Sequence, residues 1–205
     1  MRKPVKIKIV KCIANALHLN YKDVLAYRVL SDNGFKTICA VTVDTVSYDV
    51  DAYRVCYFAQ CLYVPLHFIN LSWGGFLEHE EHWNGVVTDE IMQRIKNTFK
   101  NFDKLQSSKD IINILENNTI QHLGNPVGKW KILAYTNVIC GNQNEALKYI
   151  DKIVIECNNL GWQQFADQAK TIKGYLLSGE REKALDTLRQ WQDYTINALK
   201  LTDVI

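Results

Sequence analysis

The order of apolar and polar residues predicts a helix at the start of the chain. Within residues 4–19, apolar side chains recur every three or four positions, the spacing that forms one face of a helix. Pro4 suits the first turn of such a helix, where its missing N–H costs nothing. The alternation from Val5 to Ile9 also fits a strand, so both assignments stay open for these few residues.

Three segments of strand character follow. Residues 24–30 and 35–48 flank the sequence SDNG at 31–34, which is typical of a tight hairpin turn. A loop at 49–52 leads to residues 53–73, a run too long for one ordinary strand. Pro65 cannot donate a ladder hydrogen bond, so we expect it to divide this run into two strands or to mark an edge. The pattern predicts a mainly antiparallel sheet of about four strands with a helix on one face.

Helical periodicity replaces the strand pattern after residue 84. Thr88 is a predicted N-cap for a helix over 89–101, and Ser107 with Asp110 has capping-box spacing before 111–118. Residues 118–126 (NTIQHLGNP) are predicted to form a loop, because Asn, Gly and Pro are typical of turns. Everything beyond them is predicted to be helical to the end of the chain.

A weak internal repeat lies in this helical part. Residues 134–153 align without gaps with residues 172–191, so that Gly141 matches Gly179. A helix, a glycine turn and a second helix form the unit of tetratricopeptide-type hairpins. Large apolar residues at helical spacing usually form core, so we predict Trp162 and Trp191 to be buried.

Composition adds few restrictions. The 205 residues are 47% hydrophobic and 22% charged with a net charge of +2, which is ordinary for a globular protein and does not indicate nucleic-acid binding. Lysines interrupt the first apolar stretch, and no run approaches the length of a membrane span, so a cytoplasmic protein without membrane contact is predicted. The six cysteines match no zinc spacing and are predicted to be small buried hydrophobic residues.

The stretch HFINLSWGGFLEHEEHW at 67–83 is the most conspicuous candidate for chemistry. His67, His79 and His82 could bind a metal ion, with Glu80 or Glu81 as a general base. The spacing of His79 and His82 is one residue shorter than in HExxH, and the two preceding glycines favour an irregular loop. The simplest interpretation is a solvated loop that leaves the sheet.

Several passages together resemble a group of uncharacterised bacterial proteins. These passages are CLYVPLHFINLSWGGFL at 61–77, AYTNVICGNQNEAL at 134–147 and ALDTLRQWQDYTINALKL at 184–201. The group combines an N-terminal antiparallel sheet with tetratricopeptide-like C-terminal helices, and some similar proteins are thought to be immunity proteins for toxins. The resemblance implies a binding protein and carries over no catalytic residue.

The sequence therefore predicts an α+β fold, with a helix and sheet in residues 1–83 and helices in 84–205, packed as one cooperative unit. The predicted function is a non-enzymatic, cytoplasmic protein-binding protein without a cofactor, an immunity-like protein that occludes a toxin. Its contact residues would be an acidic and aromatic surface: Glu78, Glu80, Glu81, Trp83 and Trp73. The alternatives are a small metal-assisted enzyme at the three histidines and an adaptor that holds a peptide in its helical hairpins. The binding hypothesis expects Tyr63, Trp73 and Trp83 to be exposed. The oligomeric state stays open.

Overall fold

The computed structural model describes residues 2–46, 49 and 51–202. An N-terminal helix precedes an antiparallel sheet, and the remaining helices follow it. The elements are α1 (Lys3–Leu17), β1 (Asn20–Lys22), β2 (Leu25–Asp32), β3 (Phe35–Thr45), β4 (Ala52–Cys61), β5 (Gly74–Phe76), β6 (Glu81–His82), α2 (Asp89–Phe99), α3 (Ser108–Glu116), α4 (Pro126–Cys140), α5 (Gln143–Asn159), α6 (Gln163–Leu177) and α7 (Arg181–Ala198). A 3-10 turn at Lys100–Lys104 extends α2. The predicted α+β class is confirmed.

The sheet is antiparallel throughout the described residues. Its strands lie in the order β1-β2-β3-β4-β5, and β6 pairs with the beginning of β4. Asn33 and Gly34 connect β2 to β3 with φ angles of 53° and 79°. Positive φ at both central residues is the two-residue hairpin geometry that matches the strand twist. The predicted hairpin is therefore confirmed, whereas residues 47, 48 and 50 of the predicted strand and loop lie outside the described residues.

The prediction for residues 53–73 is partly wrong. Strand β4 ends at Cys61, four positions before Pro65, and residues 62–73 form no second strand. The described residues form six strands and not the predicted four, and β1, β5 and β6 contain only three, three and two residues. Such short strands carry too few alternating positions to be visible as a pattern.

Both faces of the sheet are covered, not one as predicted. Cys39 and Val41 of β3 join the main core, to which α1 contributes Ile9 and Ile13. The opposite face carries a second, smaller core, which consists of Leu25, Tyr27, Ile38, Ala40, Phe58, Leu62, Ile196 and Leu201. The end of α7 therefore packs behind the sheet, and the main core runs from α1 to α7 across both predicted parts of the chain.

The two predicted helical hairpins are present. Gly141 ends α4 and Gly179 follows α6, with φ angles of 78° and 73°, the left-handed conformation that glycine adopts without steric cost. Helix α5 packs on α4 and α6, and α7 packs on α6, α4 and β3. Thr88 caps α2, and Ser107 with Asp110 forms a complete capping box, as predicted. The last residues of the predicted helical region, 203–205, lie outside the described part.

Two further predictions have mixed outcomes. Trp191 is half-buried against Tyr135 with ring centroids 5.3 Å apart, but Trp162 is 40% exposed, so its predicted burial is wrong. Cys39, Cys56, Cys61 and Cys157 are buried, whereas Cys12 is exposed and Cys140 is partly exposed. Among the described residues, no helix has both the length and the apolar character to span a membrane.

Candidate functional site

A segment without regular structure forms one wall of the candidate site. We call residues 62–73 the strap, because they cross from the end of β4 back to β5. The side chain of Gln60 donates to the carbonyl of Phe68 (3.3 Å) and accepts from the amide of Asn70 (3.0 Å). Gln60 is only 3% exposed. A buried amide that is satisfied in both directions fixes the strap against the sheet.

A cavity of about 260 Å³ lies between the strap, the end of β4 and helices α4 and α6. Its apolar lining includes Val64, Trp73, Ile132 and Phe165. Phe68 and Trp162 also line it and are 49% and 40% exposed, so the cavity opens to solvent beside these two rings.

Lys131 of α4 is the only charged side chain in the lining that the structure describes, and it is only 3% exposed. Its Nζ lies 4.0 Å from the centre of the Phe165 ring, and no carboxylate in the described residues forms an ion pair with it. A desolvated cation–π contact contributes about 2 kcal/mol, whereas burying an ammonium costs several. Burial accordingly lowers the pKa of Lys131 to about 8.

His122 contributes a second polar group to the same lining. Its Nε2 is buried and has no hydrogen-bond partner within the described ranges. Burial, followed by the charge of Lys129, lowers the pKa of His122 to about 4, so the ring is neutral at pH 7. Gly128 gives this ring its space, because a Cβ there would lie 3.3 Å from Nε2. The cavity therefore combines one buried cation with a neutral imidazole.

A groove lies next to the cavity and shares Leu66, Phe68 and Phe165 with it. We call it the aromatic groove; it is lined by Pro65, Leu66, His67, Phe68, Gln164, Phe165, Gln168, Trp191 and Tyr194. Tyr194 is 53% exposed, and none of the described residues in the lining is an Asp, Glu, Lys or Arg. The Oε1 atom of Gln168 is buried and accepts no hydrogen bond from the described residues. An unsatisfied acceptor in an uncharged groove suits a ligand that brings an N–H donor.

The acidic loop, residues 78–83, which the sequence analysis predicted as a contact surface, differs from the cavity because two of its three carboxylates are paired. Glu80 accepts a hydrogen bond from Arg54 Nε at 3.0 Å, and Glu81 forms an ion pair with Arg94. The Glu81 side chain is 13% exposed and that of Glu80 is 26% exposed. Glu78 is exposed. Arginines of β4 and α2 thus neutralise two of the three predicted acidic contact residues.

The three histidines do not form a metal centre. His82 pairs with the start of β4 opposite Ala52, whereas His67 borders the aromatic groove near the end of that strand. The nine residues from Ala52 to Gln60 span about 26 Å of extended strand. No group of three or more His, Cys, Asp or Glu side chains in the described part of the chain is placed to hold a metal ion. His67 therefore lies far from His82, and the described residues give the metal hypothesis for His67, His79 and His82 no support.

The aromatic contact residues predicted from sequence are also revised. Trp73 and Tyr63 are each 1% exposed, and Trp83 is half-buried against the main core. Trp73 therefore cannot contact a partner, although its ring lines the cavity. Sequence reasoning missed Lys131 and His122. One pattern in the sequence could have indicated the buried charge: Lys131 lies four residues from Val127 and from Tyr135, on an otherwise apolar helix face.

A scan against protein-family models, a search of curated proteins and a search of solved structures each found no match to this chain.

Proposed function

We propose that this protein is a non-enzymatic binding protein that holds an apolar segment of another protein in the aromatic groove. The observation that carries the proposal is the concentration of half-exposed rings there, namely Phe68 and Tyr194, with Trp162 beside them at the cavity mouth. Tyrosine and tryptophan are the residues that most often anchor protein interfaces. The proposal moves the predicted contact surface from the acidic loop to the groove.

The chemistry of the groove describes the segment that fits it. Because the lining contains no charged side chain, a charged partner residue would lose its hydration without a counter-charge. The free Oε1 acceptor of Gln168 can take a backbone N–H of the partner. An extended segment with apolar or aromatic side chains meets both conditions.

This proposal shares one feature with the adaptor hypothesis and differs in another. Helices α6 and α7 border the groove, as expected for a peptide held by the second hairpin. The opposite wall is the strap, at Pro65–Phe68, and not the first hairpin. The immunity-like role stays part of the proposal: a toxin partner would be occluded by the same surface.

Site-specific photo-cross-linking in the native cells tests the proposal. A benzophenone amino acid replaces Phe68, Trp162 or Tyr194 in three separate variants. Ile155 and Leu177 are matched controls, because they are apolar and 63% and 65% exposed but lie outside the groove. We expect an adduct of one common mass from positions 68 and 194 in the groove and from position 162 at the adjoining cavity mouth, and none from the controls. Adducts of equal yield at the controls, or none from any groove position, would contradict the proposal.

Replacement of Trp83 in the same experiment decides between the two surfaces. An adduct from Trp83 alone would return the interface to the acidic loop. Mass spectrometry of the adduct identifies the partner and shows whether it is a toxin.

A further inference from the structure

We propose that the cavity binds a small organic acid, whose carboxylate pairs with Lys131 and whose apolar body fills the space between the strap and α6. This inference does not depend on the proposed function, because it concerns the cavity that Lys131 lines and not the aromatic groove beside it. It assigns to Lys131 a ligand that neither the sequence pattern nor the acidic loop suggested.

The first argument is the missing counter-charge. The Lys131 ammonium is buried, lines the cavity and has no carboxylate partner among the described residues. Among the described residues, the Cys157 thiol on α5, whose pKa burial raises, interacts with Lys131, and the neutral imidazole of His122 lines the same cavity. Neither group supplies a negative charge at neutral pH. A ligand carboxylate supplies that charge and a strong, charge-assisted hydrogen bond.

The second argument is the composition of the walls. Rings of Trp73, Phe165 and Trp162 and aliphatic side chains form most of the lining, which suits an apolar body. One buried cation matches one negative charge, so a monoanion fits better than a phosphate dianion. The first turn of α4, at Val127 and Gly128, also lines the cavity and places the positive end of the helix dipole there.

The third argument concerns polar atoms that lack partners. Nε2 of His122 and Nε1 of Trp73 are both buried without a hydrogen-bond partner in the part of the chain that the structure describes, and both residues line the cavity. Leaving such groups unsatisfied costs free energy. A carboxylate ligand in this cavity supplies acceptor oxygens, which are what a tryptophan N–H and a histidine tautomer protonated at Nε2 require.

Calorimetric titration of the full chain at pH 7 tests this inference. The probes are two matched pairs, phenylacetate with phenylacetamide and octanoate with octanamide. Within each pair the body is the same and only the acid carries a charge. We expect at least one acid to bind at least about tenfold more tightly than its amide.

Two substitutions connect this preference to the proposed residue. Lys131→Met keeps the length of the side chain and removes its charge, so the acid should lose its advantage over the amide. Lys170→Met is the matched control on the exposed face of α6 and should retain the preference. Lys131→Gln serves as a second variant, and thermal unfolding shows that each variant is folded.

Three results would overturn the inference. The first is that neither acid binds the wild-type protein at up to about 10 mM. The second is equal affinity for acid and amide. The third is an acid preference that persists in both folded Lys131 variants, which would place the charge recognition elsewhere. Because the purified chain contains no partner protein, none of these results depends on the outcome of the cross-linking experiment.

Discussion

The acidic loop at 78–83 and the cavity around Lys131 handle charge in opposite ways. The loop carries three glutamates near the surface, and arginines from β4 and α2 pair with two of them. The cavity contains a single ammonium, buried under apolar side chains, and no carboxylate of the described residues pairs with it. The loop is conspicuous in the sequence, whereas the lysine lies within a largely apolar helix.

This difference shows which charges point to a ligand. Paired charges at a surface cost little and contribute about 0–1 kcal/mol to stability, so they indicate no function by themselves. A buried charge without a partner costs several kcal/mol, and the fold retains it at that expense. The unpaired charge is therefore the more informative feature, although the sequence displays it less clearly.

The largest expected effect concerns Gly74, which connects the two regions. It follows the cavity residue Trp73, and β5 then leads into the acidic loop. A Cβ at Gly74 would lie 2.0 Å from the carbonyl oxygen of Tyr57 in β4, and backbone cannot yield as a side chain can. Gly74→Ala should reduce the free energy of unfolding by about 3 kcal/mol or more, as measured by urea denaturation.

The neighbouring Gly75 provides the control for this prediction. A Cβ there meets the hydroxyl at the tip of the Tyr57 side chain, 2.7 Å away, and that ring can move. Gly75→Ala should therefore cost clearly less than Gly74→Ala. An equal loss in the free energy of unfolding for the two variants would contradict the prediction that the close approach of β5 to β4 requires glycine at position 74.

The second prediction measures the cost of the unpaired charge directly. The pKa of Lys131 is about 8 in the folded protein, against 10.5 for an ordinary lysine. Between these values the unfolded state binds more protons, so the stability of the wild-type protein rises with pH from about 8 to 10.5. Below pH 8 both states are protonated and the full penalty remains. At pH 7, Lys131→Met should be more stable than wild type by about 1–2 kcal/mol, after loss of the cation–π contact.

Urea unfolding of the wild type and of Lys131→Met at several pH values between 7 and 10 checks this prediction. The difference between the two proteins isolates Lys131 from tyrosines that titrate at higher pH. The difference should shrink as pH rises above 8. The surface variant Lys170→Met should show no such trend, and a pH-independent difference for Lys131→Met would mean that its ammonium is not desolvated.

The third prediction concerns the imidazole in the same cavity. Burial and the nearby Lys129 charge hold the pKa of His122 at about 4. In a proton NMR titration, one of the five histidine ring signals should therefore shift near pH 4, and His122→Gln should remove that signal. As pH falls from 6.5 towards 4, the unfolded state takes up the proton first, so His122 lowers stability in this interval. If the wild-type signal that His122→Gln removes titrates near pH 6.5 instead, His122 is solvated and the cavity is more open than described.

Local signals in the sequence explain most of the successful fold predictions. The Asn33–Gly34 turn, the Ser107 capping box and the turn glycines at 141 and 179 depend on neighbouring residues alone. The strap was mispredicted because its conformation depends on Gln60, which belongs to another element.

The candidate site was harder to predict than the fold. Lys131 lies on α4, His122 precedes that helix and Phe165 lies on α6, and the three line one cavity only after these separate parts of the chain have packed together. In contrast, His67 and His82 are close in sequence but lie near opposite ends of β4 in the structure. Proximity in sequence is a poor guide where an extended strand separates the residues.

The smallest expected effect belongs to the acidic loop. Glu80→Gln and Glu81→Gln should each change the free energy of unfolding by less than about 1 kcal/mol, because both carboxylates pair with arginine near the surface. The effect should be larger for Glu81, whose side chain is 13% exposed, than for Glu80, which is 26% exposed. A double-mutant cycle of Glu81→Gln with Arg94→Gln isolates the pair, and its coupling energy should decrease as salt is added. A salt-independent coupling well above 1 kcal/mol would mean that this loop contains a buried ion pair, and the contrast with Lys131 would then lose its basis.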